Sequence, residues 1–161
     1  MANETAQQEF VTYLESLRDD RAVLATLRRG LGRPPGAAPE MFRYVVPFVH
    51  QSTSFWHEEV HYMIASLFGY HPEPGGRGNM GSHFGYLRQQ NPDSPAIERR
   101  FTILMAAHPQ DLAFHLRQAV SLLKSKEVPV NWHQLMLDAL RWNHPDARTW
   151  VCKQWASKFW Q

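Results

Sequence analysis

Apolar residues along this chain recur at helical intervals. Phe10, Tyr13, Leu14 and Leu17 fall at i, i+3, i+4 and i+7, the spacing of one buried stripe on a helix. Val23, Leu24 and Leu27 predict a second, short helix. It is expected to stop at Gly30 and Gly32, residues that readily take the left-handed conformation closing a helix. RPPGAAP (33–39) cannot continue it, because proline lacks the backbone donor and clashes with the preceding turn. A short helix from Glu40 to about Val49 follows, then a stronger one over roughly 54–69 with Trp56, Val60, Met63, Ile64 and Leu67 on one face.

HPEPGGRGNMG (71–81) breaks the pattern. A modest helix over 80–89 comes next, and then a break at NPDSP. Ser94 is read as the cap of a helix that has Pro95 in its first turn and runs to about Ala107. His108-Pro109 opens a helix carrying Leu112, Leu116, Val120 and Leu123. Asn131 caps one holding Leu135, Met136, Ala139 and Leu140, and Pro145 starts the last, through Trp150, Val151, Trp155 and Phe159. No stretch sustains strand-like alternation or offers a hairpin turn, and no period repeats. The expected fold is all-α: one subunit over 1–161, a bundle of about eight or nine helices in two small lobes, 1–70 and 79–161, joined by the loop 71–78.

Composition supports a packed protein. Of 161 residues, 43% are hydrophobic and 20% charged, enough apolar material for a core. MANETAQQEF has neither a basic n-region nor an apolar run, so no signal peptide is read, and no apolar run approaches a membrane span. The single Cys152 excludes an internal disulfide and cysteine-built zinc sites, which suits a cytoplasmic location.

SFWHEEVHYM (54–63) carries His57, Glu58 and His61 as H-E-x-x-H, the spacing of zinc-dependent hydrolases. A catalytic zinc needs a third protein ligand and an open position. The compact extension of the motif would put Gly and His where Ile64 and Leu67 stand. The other version wants a glutamate about twenty residues on, yet 74–97 contains none. The imidazoles are therefore expected to be packing residues with polar tips. GGRGNMG lacks the Lys-Ser/Thr pair and preceding strand of a phosphate loop. No catalytic constellation, metal site or cofactor site is expected.

Charge is more informative in its distribution than in its net value of +2. Between Arg99 and Lys126 stand five basic residues, Arg99, Arg100, Arg117, Lys124 and Lys126, against the one acid Asp111. Arg117, Ser121 and Lys124 share a sector roughly 90° from the apolar stripe, a ridge suited to a row of phosphates. Arg28, Arg29 and Arg33 form a second group at a helix C-terminus, where the helix dipole also favours cations for structural reasons. One of Arg99 and Arg100 is expected to lay its aliphatic stem near the core edge. Taken alone, these residues support a helical, cytoplasmic protein that binds a polyanion or a protein partner.

LRRGLGRPPGAAPEMFRYVVPF (27–48), ERRF (98–101), HLRQAVSLLKSKEVPVNW (115–132), LRWNHPD (140–146) and WASKFW (155–160) together resemble the CasB family, the small subunit of the type I-E Cascade complex of CRISPR immunity. The region 50–94, with H-E-x-x-H inside it, carries least of the resemblance. The resemblance implies a two-lobed, all-helical subunit without enzymatic activity. Its implied partners are the other Cascade subunits with their guide RNA, the target and displaced DNA strands, and a second copy of itself, with no membrane. Arg28 and Arg29 then stand in the basic pair before the proline-rich loop and Arg99 and Arg100 in the ERR block. Arg117 stands in HLRQ, Lys124 and Lys126 in KSK, and Arg141 in LRWNHP, all expected to contact strands. Trp132, Trp142, Trp155, Phe159 and Trp160 are read as core or interface. A zinc hydrolase centred on His57, Glu58 and His61, and a structural adapter without DNA contacts, are the alternatives.

Overall fold

In the computed structural model, residues 2–161 are described, with side chains from residue 5 onward, and no strand occurs among them. The helices are α1 (Ala2–Ser16), α2 (Arg21–Arg28), α3 (Phe42–Val49), α4 (Phe55–Tyr70), α5 (Met80–Gln90), α6 (Pro95–Met105), α7 (Leu112–Ser125), α8 (Trp132–Leu140) and α9 (Pro145–Phe159). Single 3-10 turns, Pro39–Met41 and Pro109–Asp111, lead into α3 and α7. The chain divides into two compact units, one ending at Pro72 and the other beginning at Glu73.

The first unit is organised around α4, whose residues Val60 to Gly69 are all buried. Its N-terminus is fixed by Ser54, which accepts from the His57 amide at 3.2 Å. Helices α2 and α3 pack on α4, and Phe10, Val11 and Leu14 of α1 are fully buried. The α2 helix begins at Asp20, whose carboxylate accepts from the Val23 amide at 3.1 Å. Its end differs from expectation. Arg29 caps it in right-handed geometry, and only Gly32 takes a positive φ, 77°. Gly30 is there for room: a Cβ would meet the Met41 sulfur at 2.5 Å.

The second unit packs α5 against α9 and α6, and α7 against α6. Gly81 lets α5 approach α9 closely, since a Cβ there would overlap the Trp155 carbonyl. Phe101 lies at the centre, stacked 4.4 Å from Phe159 and 5.4 Å from Phe84. Burying one such ring contributes about 2–3 kcal/mol. Trp142 and Trp155 bring polar N–H groups into this core, and each of these two finds an acceptor. Trp142 Nε1 donates to the Ala107 carbonyl at 2.9 Å, and Trp155 Nε1 to Asp138 at 2.8 Å. Ser94 sits at the N-cap of α6 but makes no side-chain capping bond; Pro95 defines that start instead.

Candidate nucleic-acid interface

Helix α7 presents two distinct surfaces. Leu112, Leu116, Ala119, Val120 and Leu123 are buried, and this stripe fixes the rotation of the helix. Arg117 and Lys124 are consequently exposed, with Ser121 half-buried between them. The ridge is thus a by-product of burying the leucines: turning α7 to hide it would expose the core face. Past Ser125 the helix closes through Lys126, itself exposed, and Glu127, which holds the uncommon positive φ of 59°.

On α6 the buried positions are Ile97, Phe101 and Leu104, a narrow stripe that leaves both Arg99 and Arg100 exposed. Arg100 lies nearer that stripe and lines a cleft between α6 and α7 together with Ile103 and Leu104. Among the described residues, none of Arg99, Arg100 and Arg117 is in an ion pair. They are cations held on a rigid scaffold and available to an external anion.

The other basic positions are more committed. Arg28 donates through Nη1 to the Gly69 carbonyl at 3.1 Å, closing the end of α4. Arg29 is exposed beside it. Arg33 pairs with Glu40 at 2.8 Å and also donates to the Ala37 carbonyl at 3.3 Å, which fixes the proline-rich loop. Such an exposed pair is weak, so a phosphate could displace the carboxylate. Arg141 lies 3.8 Å from Asp138 and 5.1 Å over the Trp150 ring, half-buried by both. Arg99, Arg100 and Arg117 therefore form the freer set.

The H-E-x-x-H residues make a different arrangement from a metal centre. The imidazoles of His57 and His61 lie tilted against one another with ring centroids 4.3 Å apart. His61 is buried beside Phe10, at 4.6 Å, and burial pushes its pKa down to about 4. Burial lowers the His57 pKa as well. No group of three or more His, Cys, Asp or Glu able to hold a metal occurs among the described residues. No helix there is long and apolar enough to cross a membrane.

The aromatic residues separate sharply. Trp132, Trp142, Trp155 and Phe159 are buried, whereas Trp150, Trp160 and Phe114 are about half exposed or more. Phe114 escaped the sequence reading. Its signal was its register: it stands three residues before Arg117 and off the leucine stripe, where an apolar ring gains nothing from the core.

Residues 23–160 match the family described as CRISPR-associated protein Cse2. The CRISPR-associated protein Cse2 of Thermus thermophilus is 31% identical over 158 residues, covering 94% of this chain and 88% of that one. The crystal structure of CasB from M. ruber superposes with a TM-score of 0.80 at 29% identity, over 96% of this chain and 92% of that one. A chain of a CRISPR RNA-guided surveillance complex, 23% identical, shares the fold with a TM-score of 0.83 over 97% of this chain and 92% of its own. The resemblance seen in the arginine- and tryptophan-bearing blocks thus extends along nearly the whole chain, which belongs to the Cse2 (CasB) family of CRISPR-associated proteins.

Proposed function

We propose that this chain is a non-catalytic small subunit of an RNA-guided surveillance complex, which holds DNA strands through the cations of α6 and α7. The observation that carries the reading is the set Arg99, Arg100 and Arg117, exposed on packed helices with none of the three in an ion pair among the described residues. Family membership supports it, as does the shared fold of a chain from a CRISPR RNA-guided surveillance complex. In such a complex, base pairing to the guide supplies sequence specificity. A helper subunit then needs only backbone contacts that ignore sequence. Packed helices suit that task, because the backbone is already ordered and only the long cationic side chains have to be immobilised on binding.

Arg117, Lys124, Arg99 and Arg100 form the principal contact set, with Lys126 at its end. Arg28, Arg33 and Arg141 are secondary contacts whose structural bonds compete with phosphate, and Arg29 is a secondary contact exposed beside Arg28. The partners are the guide-RNA-bearing subunits, the target and displaced strands, and a second copy of this chain, in the cytoplasm.

The test uses a guide-loaded complex assembled without this subunit. Retention of matched double-stranded DNA is measured before and after adding the chain. Wild-type protein should tighten retention, and the Arg117→Glu/Lys124→Glu protein should lose about tenfold or more of that gain while staying folded. If both proteins assemble and both tighten retention equally, Arg117 and Lys124 do not hold the strands and the subunit acts as an adapter.

A further inference from the structure

The cleft between α6 and α7 is an apolar slot set beside the cationic ridge. Its volume is about 250 Å³, and Ile103, Leu104, Phe114 and Ala119 supply its apolar lining, with Arg100, His115 and Gln118 as polar members. That is below the usual range for drug-sized ligands and fits a single planar ring system. Phe114 is 62% exposed and Ile103 49% exposed, so neither is needed to fill the core of the unit.

We propose that this cleft receives an unstacked base of a single-stranded nucleic acid whose backbone follows Arg117 and Lys124. The inference rests on the strand-holding reading above and adds base contact to it. Three features favour a base over an apolar side chain from a protein. First, Arg100 lines the cleft from α6, and on α7 Arg117 stands one turn from Phe114 outside the lining, both exposed and in no ion pair among the described residues. Second, Phe114 is one turn from Arg117, so a chain whose phosphate meets the arginine brings the attached base to the ring. Third, Gln118 follows Phe114 by four residues, and its amide can both donate to and accept from a base edge. Glu98 points to the opposite side of α6 from Arg100, about 160° around the helix, and lines no part of the cleft. Asp111, the one acid near this register, precedes α7 and also lies outside the lining.

Stacking on one aromatic ring is sequence-tolerant, since every base has a π-face. The cleft therefore adds affinity for unpaired strand over duplex without adding sequence preference.

The experiment titrates the full chain with a fluorescein-labelled oligothymidylate and with the same oligonucleotide carrying abasic positions throughout its centre. The intact strand should bind about five- to a hundredfold tighter than the abasic one. Phe114→Ala should abolish that difference and leave the salt dependence unchanged. An oligonucleotide with 5-iodouracil should crosslink to Phe114 on irradiation. Equal binding of intact and abasic strands, with Arg117→Gln still weakening both, overturns the base cleft and spares the cationic ridge. Failure of both strands to bind, or indifference of both to Arg117→Gln, overturns the strand-holding reading together with the cleft. Loss of assembly with neighbouring subunits in Phe114→Ala, with strand binding intact, assigns the cleft to a protein side chain and also overturns the proposal.

Discussion

His61 Nδ1 lies 2.7 Å from the backbone carbonyl oxygen of His57, one turn earlier on α4. The bond commits that nitrogen as the N–H donor, and the ring is packed against Phe10 and the His57 imidazole. A catalytic zinc would also need a third protein ligand, and no group of three or more His, Cys, Asp or Glu able to hold a metal occurs among the described residues. The chain purified gently and dialysed against micromolar zinc should hold less than one equivalent of metal by elemental analysis. His57→Ala should leave that value unchanged.

The same burial makes His61 a source of acid sensitivity. Its folded pKa, about 4, lies below the unfolded value of about 6.5. The unfolded chain therefore takes up the proton first. Stability is complete above pH 6.5, and falls as pH drops from there to about 4, by on the order of 3 kcal/mol. Burial raises the Asp138 pKa, so that carboxyl acts in the opposite sense, regaining stability as it protonates. Urea titrations at pH 7.5, 6 and 5 should show a declining midpoint, and His61→Phe should flatten the decline even if it lowers the midpoint overall.

Asp138 and Trp155 hold the second unit through a buried polar bond. The carboxylate accepts from Trp155 Nε1 at 2.8 Å and from Gln134 Nε2 at 3.0 Å. Trp155→Phe removes one donor and leaves the oxygen buried. The expected cost is about 2–3 kcal/mol, read as a lowered urea midpoint. Gln134→Ala should cost less, because that edge is partly open to water.

Helix contacts in the second unit predict a contrast between two glycines. A methyl at Gly81 would run into the Trp155 backbone, whereas one at Gly85 would meet Lys158 O at 3.3 Å, a gap that a small shift can relieve. Gly81→Ala should lower thermal stability by several degrees or prevent folding. Gly85→Ala should change it little, its helix propensity offsetting the tight contact.

Salt dependence separates phosphate contacts from protein contacts. Neutralising Arg117 and Lys124 to Gln removes two cations from the ridge. For single-stranded DNA the slope of log K against log salt should become shallower by about 1.4. An unchanged slope would remove both residues from the strand interface.

The sequence by itself determined the helices and the location of most charge. Periodic leucines, prolines at helix starts and the N-cap Asn131 are local signals, decided within one or two turns of chain. The blocks around Arg28, Arg99, Arg117 and Arg141 also revealed the family, because runs of that length are specific. Tertiary structure decided which cations are free. Whether an arginine meets a carbonyl such as Gly69 O, a carboxylate such as Glu40 or only solvent depends on groups far along the chain or on another turn. It also decided that Gly30 serves Met41 rather than a helix cap, and that Ser94 makes no capping bond. Phe114 shows the limit most clearly. Its position off the leucine stripe was visible in the sequence, but a cleft exists only once α6 lies beside α7, and no spacing within one helix encodes its neighbour.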